Sequence, residues 1–311
     1  MNPDRASATA RLIAAATMMR WKSGKPGAPP AGAAEWCERF LSTSGGDRLL
    51  AWSARSWWGR TWWQFVESIA LRGIVSHWMR RKREIDRLVR QSASEGFTQL
   101  VVLGAGLDTL AFRMSAERLY ERVISADHPA TLGILRESIR RDATRSSKGR
   151  DKLPRETEAL REVELLPLDL LHDEAHAMLK AAESFDPARS TLVVLEGVLM
   201  YLPEPIVASV FRSLAVLPAP RLRLVASWML AEVGQPIGFR GQSRLTQAWL
   251  RHKGEPMLWG STPSAFPTFL DDLGWNTVRL INLDAEDPGG ADDSRGLPSE
   301  KLVLAERRAE C

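Results

Sequence analysis

Between residues 99 and 228 the chain alternates short, continuously apolar runs with longer segments whose apolar residues recur every three or four positions. Leu100–Leu103, Arg122–Ala126, Val163–Leu166, Ser190–Leu195 and Arg221–Trp228 are the apolar runs. Their lack of alternation predicts strands covered on both faces, as in a parallel sheet. Helical segments fall between them: Leu107–Met114, Pro129–Arg141, and a stretch entered through Pro203 that places Ile206, Val207, Val210, Phe211 and Leu214 on one face. Phe266–Leu273, stopped by Gly274, predicts a last helix, and Thr277–Leu283 with Lys301–Glu306 a closing hairpin. The expectation is an α/β fold: a doubly wound, seven-stranded, mostly parallel sheet with one antiparallel strand.

The first third of the chain has a different pattern. An Ala-rich helix follows a flexible start over Met1–Arg20, and Ser23–Gly32 is a Gly/Pro/Ala linker. Ala34–Leu50 and Ala54–Val66 carry mixed three and four spacing interrupted at Ser44-Gly45-Gly46, and Ile69–Gln91 is a longer helix with Ile74, Val75, Trp78, Ile85, Leu88 and Val89 on one stripe. Residues 1–95 are therefore expected to form an N-terminal helical cap and residues 96–311 the sheet domain, with an inserted lid at about 230–265 in the proline- and glycine-interrupted stretch after the fifth strand.

Composition narrows the function classes. The 311 residues are 44% hydrophobic and 26% charged, ordinary for one large globular domain with additions. Lys plus Arg number 42 against 38 Asp plus Glu, a balance too even to indicate a nucleic-acid partner. No apolar run is long enough to span a membrane, and two cysteines make neither a disulfide framework nor a metal cluster. The expectation is a cytoplasmic protein with a small-molecule substrate, no membrane, no nucleic acid and no metal; the oligomeric state is left open. His172 and His176 stand at i, i+4 but lack a third ligand. Tryptophan is abundant, 12 against 2 Tyr, and six lie between Trp36 and Trp63. Helix packing and an aromatic-lined pocket for an apolar substrate are the two readings of that cluster.

The candidate chemistry begins where the first strand ends, in Leu103-Gly104-Ala105-Gly106. Glycines there let a ligand lie against the main chain, and the following helix points its free amides at the same place. Thr109 stands where the dinucleotide fingerprint G-x-G-x-x-G requires its third glycine, which counts against a pyrophosphate and fits a phosphate-free nucleoside such as S-adenosylmethionine. Asp127, at the end of the second strand and about 20 residues on, suits ribose hydroxyls. Glu196, at the end of the fourth strand, falls at the carboxyl edge of the sheet, where it would hold a cationic amino group.

The motifs LGAGLDTLAFR, SADHPAT, LPLDL and LEGVLMYLPE, over about Ser76 to Leu214, resemble those of the leucine carboxyl methyltransferase family, in particular its bacterial small-molecule O-methyltransferases. The resemblance implies a Rossmann-like class I methyltransferase fold that uses S-adenosylmethionine. It implies cofactor contacts at Gly104, Gly106, Asp108 and Asp127, and adenine contacts at Asp169 and Leu170, where an N-cap for the next helix is a compatible alternative. Arg81-Lys82-Arg83-Glu84-Ile85-Asp86 is similar to the family's Arg-Thr-Arg-x-x-Asp helix, which gives Arg81, with Arg80 as its alternate, to the cofactor carboxylate opposite Glu196. Tyr201 resembles the family tyrosine near the transferred methyl, with packing as its alternative role. The acidic residue the family has two places before Asp127 is Ser125 here. The implied activity is methyl transfer to a carboxylate or hydroxyl oxygen of a small, apolar molecule. A carboxylate acceptor is already ionised at neutral pH, whereas a hydroxyl calls for a base, His252 or a carboxylate. A catalytically inactive cofactor-binding regulatory or partner subunit and an RNA-directed carboxyl methyltransferase are the alternatives.

Overall fold

Strand β1, Gln99–Leu103, is buried along its whole length. It is an interior strand of a sheet completed by β2 (Arg122–Asp127), β3 (Glu164–Pro167), β4 (Thr191–Leu195), β5 (Leu222–Met229), β6 (Trp275–Ile281) and β7 (Glu300–Arg307). The computed structural model describes residues 7–23, 27–42, 45–70, 73–146, 161–232, 234–239, 242–283 and 299–308. Across the sheet the order is β3-β2-β1-β4-β5-β7-β6, and β7 runs antiparallel to both its neighbours. The parallel strands spread in opposite directions from the β1–β4 pair, so the sheet's topological switch lies there, with a crevice at the strands' carboxyl ends.

The period-two geometry of each strand divides its apolar residues between two layers. Val101, Leu103, Val193, Leu195, Leu224 and Ala226 face one side. There they pack on α8 (Ala175–Lys180), α9 (Glu204–Ala215) and α11 (Ala265–Asp271), with Phe211, Phe266 and Trp275 fully buried. Leu100, Val102, Leu192 and Val194 face the other side. That layer holds α6 (Leu110–Ala116), α7 (Pro129–Ser146) and the five helices that precede β1.

Those five are α1 (Ala8–Ser23), α2 (Ala33–Phe40), α3 (Gly45–Arg55), α4 (Trp57–Ala70) and α5 (Ile74–Ser94). Ala14, Met18, Trp36, Phe40 and Ala51 share one apolar cluster with the sheet, so the cap and the strands are packed into a common core. Element boundaries moved where glycine sets them: the helix expected from Ile69 starts at Ile74, behind Gly73 at φ 82°. The insertion after β5 carries α10 (Arg244–His252), N-capped by Ser243, whose side chain accepts the Thr246 N–H. The helix expected over Pro129–Arg141 runs on to Ser146; residues 147–160, residues 284–298 between β6 and β7, and Cys311 lie outside the described residues.

The tryptophan cluster divides. Trp36 is core, its ring 5.4 Å from Phe112, and Trp63 is half-buried with its indole N–H donated to Ser53 Oγ. Trp52, Trp57, Trp58 and Trp62 are exposed, neither packed as core nor turned into a cavity, because α3 and α4 form the outer layer of the cap and present these positions outward.

Candidate active site

β1 delivers the chain into Gly104 and Gly106, both in the left-handed region, at φ 63° and 58°. A Cβ on Gly104 would run into Val198, and one on Gly106 would stand 3.0 Å from Ala10 Cβ of α1. Only glycine turns this tightly between two packed elements. The Gly106 N–H donates to Asp127 Oδ2 at 2.6 Å, and Asp127 Oδ1 accepts the His128 N–H. Burial raises the Asp127 pKa, against those two N–H donors.

A cleft of about 150 Å³ opens over this turn. Gly104, Gly106, Asp108 and Asp127 line it from the β1–β2 side, Asp169 and Leu170 from the end of β3, and Arg81, Glu196 and Tyr201 from α5 and the segment after β4. All nine residues singled out in the sequence share this one wall. Asp169 does not cap a helix: its carboxylate closes a turn by accepting Leu171 N–H and the His172 ring, and the next helix starts at Ala175 behind Glu174.

Behind the cleft lies a buried ionic array. Arg81 donates through Nε to Glu196 at 2.9 Å and through Nη1 to both oxygens of Glu300 at 2.7 Å. His77 Nε2 meets Glu300 at 2.9 Å. The Lys82 ammonium bonds Asp108 and stands 3.2 Å from Glu196. Arg81 and Lys82 thus bridge the three carboxylates Glu196, Glu300 and Asp108, and the groups sort themselves by partner. Burial opposes ionisation of Glu300, but Arg81 and His77 outweigh it and hold that carboxyl down at about 2. Burial likewise opposes Asp108, which Lys82 and Arg113 keep well below the usual range. Burial dominates at Glu196 and raises its pKa despite Lys82 and Arg81. For Arg81, burial works against the charge, and Glu300 and Glu196 more than restore it.

Lys82, Glu300 and His77 were not among the expected site residues. Lys82 was visible as the departure from threonine in the Arg-Thr-Arg-x-x-Asp pattern. Glu300 opens β7, and because β7 is antiparallel, opposite Met229, its first residue arrives at the carboxyl end of β5. The chain's opening was read only as a helix, yet Thr9, Ala10, Ile13, Ala14 and Thr17 of α1 line the cleft. α1 is held there by Glu255, which accepts Ala8 N–H at 2.8 Å, Thr9 N–H at 3.2 Å and the Thr9 hydroxyl. Of the base candidates, His252 is exposed at the end of α10 and lines no part of the cleft; Glu255, three residues on and not singled out in the sequence, is the carboxylate buried in the outer wall. Burial, and next the Glu255 charge, raise the Tyr201 pKa, so its phenol keeps its proton.

Residues 12–215 match the model of the leucine carboxyl methyltransferase family, about two thirds of the chain. The chain belongs to this family. A protein of Frankia alni that carries the name of an S-adenosyl-L-methionine-dependent methyltransferase is 28% identical over 66% of this chain and 63% of its own length. One of Mycolicibacterium smegmatis with the same name is 31% identical over 72% of this chain and 69% of its own. The chain spans less than two thirds of the length of most of the curated relatives it matches, and about half of several. A crystal structure from Thermobifida fusca, described as a methyltransferase, shares the fold at a TM-score of 0.54 and 17% identity, over 88% of this chain and 94% of that one. The family match ends at residue 215, so β5 to β7, with Glu255 and Glu300, lie beyond it.

Proposed function

We propose that this member of the leucine carboxyl methyltransferase family is an S-adenosylmethionine-dependent O-methyltransferase acting on a carboxylate or hydroxyl oxygen of a small, apolar molecule. The observation that carries the reading is the convergence of Asp127, Asp169, Arg81 and Glu196 on one cleft at the switch point of the sheet, over a glycine turn that no side chain could occupy. The residues fit the cofactor. Asp127 offers its carboxylate to a ribose, and Asp169 with the Leu170 backbone sits where adenine would be read. Arg81 and Lys82 suit the amino-acid carboxylate, and Glu196 and Asp108 its ammonium.

When bound, the cofactor supplies a methyl group on a sulfonium, already activated for displacement. The protein's part is to align the accepting oxygen and exclude water. α1 and Glu255 close the outer wall, Ile13 and Ala14 make it apolar, and Tyr201 sets a protonated phenol beside it. A carboxylate acceptor needs no base here, being ionised at neutral pH.

Calorimetric titration with S-adenosylmethionine, S-adenosylhomocysteine and NAD tests the cofactor: micromolar binding of the first two and none of NAD is expected, and the reverse would refute the reading. Asp127→Ala should weaken both sulfur nucleosides at least about tenfold, through loss of charge-assisted hydrogen bonds. A screen of apolar acids and phenols for methyl transfer follows; tight binding without turnover on any of them would favour a non-catalytic binding subunit.

A further inference from the structure

The exposed residues of α3 and α4 form an aromatic face with a single sign of charge. Leu49 and Trp52 stand one turn apart on α3, and Trp58, Trp62 and Phe65 run at i, i+4 and i+7 along α4. Trp58 is 75% exposed and Trp62 63%, and Trp57 lies edge-on to Trp58 with ring centroids 4.4 Å apart. Such residues are normally placed where they leave water. The exposed charges among the described residues of these helices are Arg48 and Arg55; Arg55 is paired with Glu38 of α2. No exposed carboxylate accompanies them among those residues: Asp47 is buried on Arg11, and Glu67 is half-buried, accepting the Val75 N–H.

We infer that this face is a docking surface for an anionic lipid membrane, on which α3 and α4 lie flat. The residue types point to that occupant. Tryptophan is the side chain enriched at the headgroup level, where one edge of the indole meets water and the rest meets acyl chain. A pair of helices with tryptophans outward and arginines alongside has the make-up of an interfacial, non-spanning anchor. A second copy is a poorer fit, because a two-fold contact sets the face against itself and brings Arg48 toward its own equivalent with no exposed carboxylate among the described residues of α3 or α4 to meet it. The face is tied to the cleft through the Arg11–Asp47 ion pair between α1 and α3, at 3.0 Å. The inference does not depend on which acceptor is methylated.

The test is sedimentation of the full-length protein with vesicles of phosphatidylcholine alone and of phosphatidylcholine with roughly one third phosphatidylglycerol. Binding to the anionic vesicles that weakens as salt is raised is expected. Trp58→Ser with Trp62→Ser should reduce it at least about tenfold, and Arg48→Glu severalfold. Calorimetry with S-adenosylhomocysteine accompanies each variant: unchanged affinity shows that the fold and the cofactor site are intact, and separates failure of this inference from failure of the proposed function. Absence of vesicle binding, or equal binding by the tryptophan variant, overturns the inference. Self-association in sedimentation velocity that the tryptophan variant abolishes would assign the face to a second copy and overturn it as well.

Discussion

Lys82→Met is the substitution that most directly probes how the amino-acid end of the cofactor is held. The Lys82 side chain is 11% exposed and joins Asp108 to Glu196, while Arg81 next to it is already committed to Glu196 and Glu300. Lys82 is the more exposed of the two cations and keeps one donor to turn toward a ligand carboxylate. Methionine keeps the stem's packing and removes the charge. A hydrogen bond between charged partners in such a place is worth about 1.5–3 kcal/mol, which corresponds to a loss of roughly 10- to 150-fold in affinity. Removing the ammonium also leaves Asp108 and Glu196 facing each other. Glu196, whose pKa burial already raises, loses one of the two cations that oppose that rise, so its pKa moves further up in the variant. The assay is calorimetry with two ligands, S-adenosylhomocysteine and 5′-methylthioadenosine, the second of which keeps the nucleoside and lacks the amino acid. The first should weaken by the stated factor and the second by less than about twofold. Equal losses for both would mean that the substitution had damaged the site as a whole; no loss for either would refute the assignment of Lys82.

Gly104→Ala should cost about 1–3 kcal/mol and impair S-adenosylhomocysteine binding, because its Cβ meets Val198 at a φ of +63°; thermal unfolding and calorimetry read the two effects. Glu300 contributes stability that depends on pH: its folded pKa of about 2 lies below the 4.5 of an ordinary glutamate, so the contribution, about 3 kcal/mol, is complete above that ordinary value and is lost as pH falls toward 2. Urea unfolding of wild type and Glu300→Gln between neutral and acidic pH should therefore show curves that converge on acidification; parallel curves would refute it. Phe112→Ala should cost about 3–5 kcal/mol in the same assay, since the ring is fully buried between Trp36 and Phe40 and joins α6 to α2.

The sheet was readable because each parallel strand is apolar on both faces, a pattern set by local sequence and needing no knowledge of distant partners. The residues at the strand ends were readable for the same reason: the carboxyl edge of a doubly wound sheet follows from the order of its elements, and Asp127, Asp169 and Glu196 sit at that edge. The fate of the tryptophans was not. Trp36 and Trp58 have the same side chain in similar helical surroundings, and which one is core depends on whether Phe112 of α6 reaches it from across the layer. Periodicity assigns residues to one face of a helix without saying what covers that face.

The same limit explains why the far side of the cleft was missed. Glu255 and Ala8 are 247 residues apart, and neither carries a local signal: glutamate after a helix is usually a solvated surface residue, and an alanine-rich opening is usually a plain helix. Their pairing becomes intelligible only in the folded chain, where α1 ends over the glycine turn with its first amides pointing at the segment that returns from α10. An anion is what a helix N-terminus accepts most readily, and Glu255 supplies one from inside the wall. The glycine turn and the strand-end acids belong to the part of the chain that the family model covers, whereas Glu255 belongs to the part after residue 215. The wall that carries the glycine turn and the strand-end acids therefore lies within the family match, whereas the outer wall rests on a contact of Ala8 and Thr9, before residue 12, with Glu255, after residue 215. Substitutions at Thr9 and Glu255 would reshape that outer wall while leaving the strand-end acids as they are.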